Sequence, residues 1–193
     1  MNKTLCSLFL GAALCSLVSS QSTSCRGART TQFRDNRGVS HNYLFSWENG
    51  PTSNLNLDWD GAQKICREHC MDLVSIETGG ENDFIKQRIA SGAVKYIWTS
   101  GRRNPGFDLV NSWYWAGSGA RIGPTNNRAN GDWSHTGGAK KPQPDNRENT
   151  PGDFGYRGYE EHCLSFLNNF YQDGIRWHDV ACYHTKPFVC ESQ

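Results

Sequence analysis

The sequence predicts an α+β fold in which two helices precede a group of strands. Residues 58–70 and 78–92 carry helical patterns, and three short apolar segments near the end of the chain are typical of strands. Between them, residues 118–162 contain no convincing helix or strand pattern. A region that long inside a compact domain usually carries function or is disordered. Helices and strands in separate blocks favour the α+β class.

Both predicted helices have recognisable starts. The first begins near Asp58 or Asp60, because either carboxylate can accept a hydrogen bond from the first turn. Its inward face comprises Trp59, Ala62, Ile65, Cys66 and Cys70. The second begins with Thr78 and Glu81, which form a capping box, and it ends at Gly92. Its apolar stripe is Phe84, Ile85 and Ile89.

The strands are predicted from short runs of aromatic and β-branched residues. Residues 21–40 are polar and lack periodicity, so this N-terminal segment is predicted to be irregular. Strands are predicted within residues 41–48, 71–77, 96–101, 112–117, 163–170, 174–182 and 186–191. The dipeptide Asp173-Gly174 favours a turn between the fifth and sixth of them.

The first residues of the chain are typical of a secretory signal peptide. A lysine precedes an almost unbroken apolar run from Leu5 to Val18, and the small residues Val18 and Ser20 suit cleavage before Gln21. No later segment reaches the roughly 18 apolar residues of a membrane span. We therefore expect a signal peptide (1–20), an irregular segment (21–40) and one domain (41–193), in a protein that is secreted and extracellular.

Charge and motif content argue against two classes of function. The formal net charge is +1, and the signal peptide carries one lysine, so no basic surface for nucleic acid or an anionic membrane is expected. An acid–base group could be drawn from His178, Asp179 and Glu161, or from Ser134 and His135. No recognisable nucleophile–base, phosphate-loop or metalloprotease motif accompanies them, so an enzyme is not predicted.

Six cysteines follow the signal peptide: Cys25, Cys66, Cys70, Cys163, Cys182 and Cys190. An even number in an exported chain favours three disulfides, although spacing alone does not choose the pairing. A zinc site is the alternative. The Cys66–Cys70 spacing has no matching Cys or His pair nearby, which favours disulfides.

An ordered series of motifs resembles a C-type lectin-like domain over about residues 41–192. The motifs are Trp59-x-x-Ala62-x-x-x-Cys66, Leu73-Val74-Ser75-Ile76, Ile97-Trp98, Trp113-x-Trp115, Gln143-Pro144-Asp145, Glu161-x-Cys163, Trp177-His178-Asp179-x-x-Cys182 and Phe188-Val189-Cys190-Glu191. The resemblance implies two helices flanking antiparallel sheets, a long loop region and stabilising disulfides. Insertions at 102–111 and 118–142 look more like secreted arthropod members of the family than vertebrate ones.

The resemblance also implies how the cysteines pair. Members of the family join the first helix to the last strand, which here gives Cys66–Cys190, and they fasten the long loop with Cys163–Cys182. Cys25 and Cys70 are then left for each other. Cys70 stands where many family members have a glycine.

By the same resemblance, the long loop and the following strands would hold calcium. Gln143, Asp145, Glu161 and Asp179 match the family's metal ligands, which also contact two sugar hydroxyls, and the Gln143–Pro144 bond would be cis. Gln-Pro-Asp looks like the galactose-type motif, and Phe154, Tyr156 and Tyr159 offer aromatic rings for a sugar face. Trp177 is predicted to be a core residue, and His162 and His184 are predicted to lie at the surface.

His178 departs from this pattern, because the family usually has asparagine there. Imidazole is a poor calcium ligand, since calcium selects oxygen. Calcium could bind loosely with water in place of the asparagine, or no metal could bind, or His178 could recruit zinc with Asp145 or Glu161. The resemblance therefore implies a secreted lectin with glycan or glycoprotein partners, in a setting such as innate immunity. The alternative is a lectin-like protein-interaction module without calcium or sugar binding.

Overall fold

The computed structural model describes residues 24–127 and 129–192, so the predicted signal peptide lies outside the described part. The described residues form two helices, α1 (Trp59–Glu68) and α2 (Gly79–Ser91). The strands are β1 (Thr31–Arg34), β2 (Ser40–Phe45), β3 (Asp72–Leu73), β4 (Tyr96–Arg103), β5 (Trp113–Trp115), β6 (Cys163–Asn168), β7 (Ile175–Val180) and β8 (Val189–Glu191). They build two four-stranded antiparallel sheets. The predicted α+β class is confirmed.

The first sheet has the order β1-β2-β8-β3 and brings both ends of the domain together. Strand β1 corrects the prediction that residues 21–40 are wholly irregular. Thr31–Arg34 contains one strongly apolar residue, Phe33, which is too little for a pattern. The ring of Phe33 stacks on Phe84 of α2 at a centroid distance of 4.5 Å, so a contact with a distant helix fixes this strand.

The second sheet has the order β5-β4-β6-β7 and supports the long loop. Strand β6 pairs with β7 so that Leu164 lies opposite Asp179 and Ser165 lies opposite His178. Neighbouring residues of a strand point to opposite faces of the sheet. Asp179 and His178 therefore leave β7 on different faces, which matters for the site described below.

The helix starts follow the predicted capping chemistry. Of the two candidate caps for α1, Asp58 is the one used, and its side chain accepts a hydrogen bond from the Gly61 amide at 2.8 Å. In α2, both bonds of the capping box between Thr78 and Glu81 are present. Gly92 follows the last helical residue, as predicted.

Three disulfides join the pairs that the family resemblance implies. Cys66–Cys190 links α1 to β8, Cys163–Cys182 links the start of β6 to the segment after β7, and Cys25–Cys70 links the N-terminal segment to the end of α1. Cys70 has a φ of 56°, in the left-handed region that favours glycine. Glycine adopts this conformation at less cost than cysteine does.

Several strands are shorter than predicted. The segment 71–77 contributes only Asp72–Leu73 as a strand, and 41–48 divides into β2 and a short 3-10 turn, Ser46–Glu48. Within 118–162, the described residues have one 3-10 turn, Arg147–Asn149, as regular structure. In the described part of the chain, no helix combines the length and apolar character needed to cross a membrane.

Candidate functional site

The long loop is fastened beside β7 by backbone hydrogen bonds. The Trp177 amide donates to the Asp132 carbonyl at 2.9 Å, and the Ser134 amide donates to the Trp177 carbonyl at 3.0 Å. The Gln143 amide then donates to the Ser134 carbonyl at 3.0 Å. Trp133 packs edge-on against Trp177 with centroids 5.8 Å apart, so the loop has a buried aromatic anchor. These contacts hold the Gln-Pro-Asp motif next to the strand that carries Asp179.

Three of the predicted ligands meet in this region. Asp145 lies in the loop, Glu161 lies just before β6, and Asp179 lies on β7. Ligand oxygens from the three side chains lie within 4.8 Å of one another, and Glu161 and Asp179 are buried. Their sequence positions differ by up to 34 residues, so the tertiary fold alone brings them together.

Backbone hydrogen bonds set the positions of these carboxylates. Asp179 accepts from the Asp145 amide at 3.1 Å and from the Asn146 amide at 2.7 Å. Asn146, whose φ of 49° is left-handed, accepts from the Glu161 amide at 2.8 Å through its side-chain oxygen. Each segment of the cluster is therefore hydrogen-bonded to another, and Asn146 is a positioning residue that the sequence motifs do not include.

The cluster has an excess of buried negative charge. Burial raises the pKa of Asp145, and burial together with the neighbouring carboxylates raises the pKa of Asp179 and Glu161. Asp145 Oδ2 and Glu161 Oε2 are buried without a hydrogen-bond partner among the described residues. Buried oxygens without partners are costly, and a hard cation would satisfy both of them. The donor set therefore fits an ion that prefers carboxylate and amide oxygens, as calcium does.

All five residues singled out in the sequence line one cavity of about 370 Å³: Gln143, Asp145, Glu161, His178 and Asp179. The Gln143–Pro144 bond is cis, as the resemblance implies. Gln143 is buried, its side-chain amide donates to the Lys141 carbonyl at 3.4 Å, and it offsets part of the effect of burial on the pKa of Asp145.

Arg147 places a cation at the edge of this cluster. Its Nη2 lies 3.8 Å from Glu161 Oε1 and 3.4 Å from Glu148 Oε1, and its Nη1 donates to the Phe154 carbonyl at 3.1 Å. A Cβ on Gly155, whose φ is 85°, would collide with this guanidinium. Arg147 thus joins the carboxylate cluster to the segment that carries Phe154, and it offsets part of the cluster's charge.

Glu148 is a second buried acid that sequence reasoning missed. Its oxygens accept from the Tyr183 hydroxyl at 2.8 Å and lie 2.6 Å from His184 Nε2. Although burial opposes it, these hydrogen bonds lower the pKa of Glu148. His184 is therefore a half-buried partner of Glu148 rather than the surface residue that the sequence predicts. The signal available in the sequence, a glutamate beside the loop arginine, is too common to be informative.

His178 is engaged away from the three carboxylates. Its Nε2 lies 3.0 Å from Asp173 Oδ2, and the Ser134 hydroxyl donates to the same oxygen. The side chain is 2% exposed, and burial lowers the pKa of His178 to about 4. Ser134 contacts Asp173 and not the imidazole, so this trio differs from a nucleophile activated by a base.

His162, Cys163 and Cys182 also lie close together, but the two sulfurs form a disulfide and are not available to a metal. His162 itself is half-buried rather than at the surface, with Nδ1 3.1 Å from the Glu160 carbonyl.

The predicted aromatic rings lie at the surface near this cavity. Phe154 is 80% exposed, and Tyr156 and Tyr159 are also exposed. Tyr159 packs beside Tyr183 at a centroid distance of 4.8 Å, whereas no ring packs on Phe154 among the described residues. Trp177 is buried against Trp115, so it is a core residue, as predicted.

The sequence profile of the lectin C-type domain matches residues 55–192. This chain belongs to the C-type lectin domain family. A curated relative, L-selectin of Bos taurus, is 25% identical over 134 residues, which are 69% of this chain and 29% of that protein. The chain thus spans less than a third of the length of the L-selectins it matches.

Solved structures of C-type lectin domains share this fold. The carbohydrate-recognition domain of the human scavenger receptor C-type lectin has a TM-score of 0.56 at 22% identity, covering 87% of this chain and 98% of that one. The Ca²⁺-independent C-type lectin SPL-2 from Saxidomus purpuratus has a TM-score of 0.50 at 23% identity, covering 78% and 85%. At these identities the likeness concerns the fold. Relatives with this fold therefore include one that is described as independent of calcium.

Proposed function

We propose that this C-type lectin domain is a secreted carbohydrate-binding protein in which Gln143, Asp145, Glu161 and Asp179 hold calcium. The observation that carries the proposal is the buried cluster of three carboxylates with two unpartnered oxygens. In a family that includes a described carbohydrate-recognition domain, such a cluster is best explained by a cation and the ligand that it helps to bind.

Calcium suits this role because it accepts six to eight oxygen ligands and tolerates neutral ones among them. The four side chains would supply part of that set, and two neighbouring sugar hydroxyls would complete it. When bound, the ion would also neutralise the repulsion among Asp145, Glu161 and Asp179. The chain's own residues then fix the sugar's orientation, since carboxylates accept hydrogen bonds from hydroxyls and the Gln143 amide can also donate.

The order Gln-Pro-Asp supports a preference for galactose-type sugars. It places the amide before the proline and the acid after it, and this arrangement of donors and acceptors favours one configuration of vicinal hydroxyls. Phe154, Tyr156 and Tyr159 offer exposed rings that could stack on the apolar face of galactose.

His178 would lie outside the ligand set, with water in place of the usual asparagine. Its hydrogen bond to Asp173 speaks against recruitment of zinc together with Asp145 or Glu161. The absence of an oxygen ligand at this position predicts a calcium affinity weaker than the full set of side chains would provide.

Titration calorimetry with calcium, with and without galactose, tests this proposal. We expect calcium to bind in the absence of sugar, and galactose to bind in calcium but not in EDTA. Mannose, which differs in its vicinal hydroxyls, is the matched control and should bind more weakly. Equal galactose binding in calcium and in EDTA would eliminate the calcium-dependent form of the proposal.

The second candidate is a protein-interaction module without metal or sugar, and two observations favour it. Arg147 already gives Glu161 a cationic neighbour, and His178 replaces an oxygen ligand. If His178 is the obstacle to calcium, His178→Asn should create or strengthen calcium binding, as measured by calorimetry. No change in calcium affinity would show that the histidine is not the obstacle.

A further inference from the structure

Lys186 presents a buried ammonium group that has no acidic partner. It lies just before β8, where its backbone pairs with Leu57, and it is 7% exposed. Its Nζ lies 4.4 Å from the centroid of Tyr96 and 4.9 Å from the Trp98 ring. Among the described residues, Glu148 is the carboxylate whose charge raises the pKa of Lys186, and the ion pairs of Glu148 are with Arg147 and His184.

Lys186 lines the same cavity of about 370 Å³ as the carboxylate cluster. Glu148 is the acid whose charge acts on Lys186, but Tyr183 and His184 already occupy its oxygens. Burial accordingly lowers the pKa of Lys186 to about 8. Buried charges in proteins are normally paired. An ammonium that contacts two rings but has no acid beside it keeps hydrogen-bond donors for an anionic group of a ligand.

We propose that Lys186 forms an anion-binding subsite in this cavity, and that the domain's ligand is an acidic glycan whose carboxylate or sulfate pairs with the ammonium. This inference rests on the proposed function, because the carboxylate cluster would bind the neutral hydroxyls of the same glycan through calcium. Arg157 and His184 line the cavity as well, so further hydrogen-bond donors are close to the subsite.

The electrostatics of the cavity are consistent with such a ligand. Without a cation, Asp145, Glu161 and Asp179 would repel an anion. Calcium would offset two of their three negative charges, and Arg147 lies beside Glu161 to offset the third. The positive charge of Lys186 then remains on the part of the cavity wall outside the carboxylate cluster. The cavity volume falls within the roughly 300–1,000 Å³ of small-ligand sites, which is enough for more than a single point of contact.

The competing explanation is that Lys186 only packs on Tyr96 and Trp98. The substitution Lys186→Met separates the two explanations, because methionine keeps an unbranched apolar stem against the rings but removes the charge. Lys186→Arg keeps the charge. Lys95→Met is the matched control, since Lys95 is exposed next to Tyr96.

Calorimetry in calcium should compare lactose with sulfated lactose isomers and with sialyllactose. We expect at least one acidic sugar to bind about 10-fold or more tightly than lactose to the wild type, as a charge-assisted hydrogen bond allows. Lys186→Met should remove this preference while calcium and lactose still bind, because methionine keeps the apolar stem against Tyr96 and Trp98. Lys186→Arg and Lys95→Met should keep it.

Several outcomes would overturn the inference. If acidic sugars bind the wild type no more tightly than lactose does, the inference is wrong, whether or not Lys186→Met folds. The inference is also wrong if Lys186→Met still prefers acidic sugars. If inorganic sulfate binds as tightly as sulfated lactose, Lys186 is a free-anion site and the acidic-glycan assignment is wrong. Lactose binding without an acidic preference refutes this inference alone, whereas failure of every sugar to bind refutes the proposed function too.

Discussion

The charge on Glu161 should destabilise the metal-free protein and should be required for stabilisation by calcium. Glu161→Gln removes that charge but keeps the size of the side chain. The carboxylate oxygens of Asp145, Glu161 and Asp179 lie within 4.8 Å of one another, and two unit charges at that separation repel by about 3.5 kcal/mol at an effective dielectric constant of about 20. Glu161 faces two such neighbours.

The observable gain is smaller than this repulsion. The raised pKa values mean that the folded protein escapes part of it by binding protons, and Arg147 at 3.8 Å offsets another part. We therefore expect Glu161→Gln to raise the free energy of unfolding in EDTA by about 1–3 kcal/mol, because a carboxyl whose pKa is raised on folding costs the folded state about 1.4 kcal/mol for each pH unit above its unfolded pKa. In calcium at 100 times its Kd, the wild type should gain about 2.7 kcal/mol, and the variant should gain much less.

Urea unfolding at neutral pH, in EDTA and in calcium, measures both quantities. Asp83→Asn is the control, because Asp83 is an exposed acid outside the cluster. It should change neither stability nor the calcium effect. A Glu161→Gln variant that is less stable than the wild type in EDTA would refute the repulsion argument, and equal stabilisation of both proteins by calcium would remove Glu161 from the ligand set.

Three further predictions concern the same domain. In EDTA, the free energy of unfolding should fall as the pH rises from about 6.5 to 8, because Glu161 and Asp179 have raised pKa values in the folded protein and keep protons that the unfolded chain releases. In urea unfolding, Glu161→Gln should make this pH dependence less steep, and an equally steep dependence in the variant would assign the effect to other groups. Arg147→Gln should strengthen calcium binding by about 5- to 30-fold in calorimetry, since a partly buried competing charge contributes about 1–2 kcal/mol, and weaker binding would contradict this. Replacing Cys25 and Cys70 by serine removes a disulfide with a sequence separation of 45, whose loop entropy contributes about 4 kcal/mol to stability. Urea unfolding should show this loss while calorimetry shows unchanged calcium affinity, and a loss of calcium binding would refute the expectation that this disulfide does not affect the site.

The helix starts could be predicted from local sequence patterns, whereas the disulfide pairing could not. Asp58 and the Thr78–Glu81 capping box mark helix starts through interactions three residues apart, which a sequence displays directly. Cysteine pairing joins residues up to 124 positions apart, so local patterns could not choose it, and the family resemblance was needed. Strand β1 was missed because its one aromatic residue is fixed by a contact with α2.

For the candidate site, the sequence shows which residues are present but not how they are arranged. The identities of Gln143, Asp145, Glu161 and Asp179 and their order along the chain are visible in the sequence. The positions of Arg147 and Glu148 relative to them are not, because the loop that carries these residues has almost no periodic hydrogen bonding from which a direction could be inferred. The partner of His178 could not be predicted either, because the path of the turn between β6 and β7 is what brings Asp173 to the imidazole.

By itself the sequence determined the kinds of chemical group available: hard oxygen donors, six cysteines after residue 20, aromatic rings and capped helices. Tertiary structure alone decided what surrounds these groups: it buries oxygens of Asp145 and Glu161 without a hydrogen-bond partner, and it places the ammonium of Lys186 over the Tyr96 ring. The physical reason is that hydrogen bonding and burial between distant residues depend on the path of the whole chain. Local preferences act over a few residues and leave that path open.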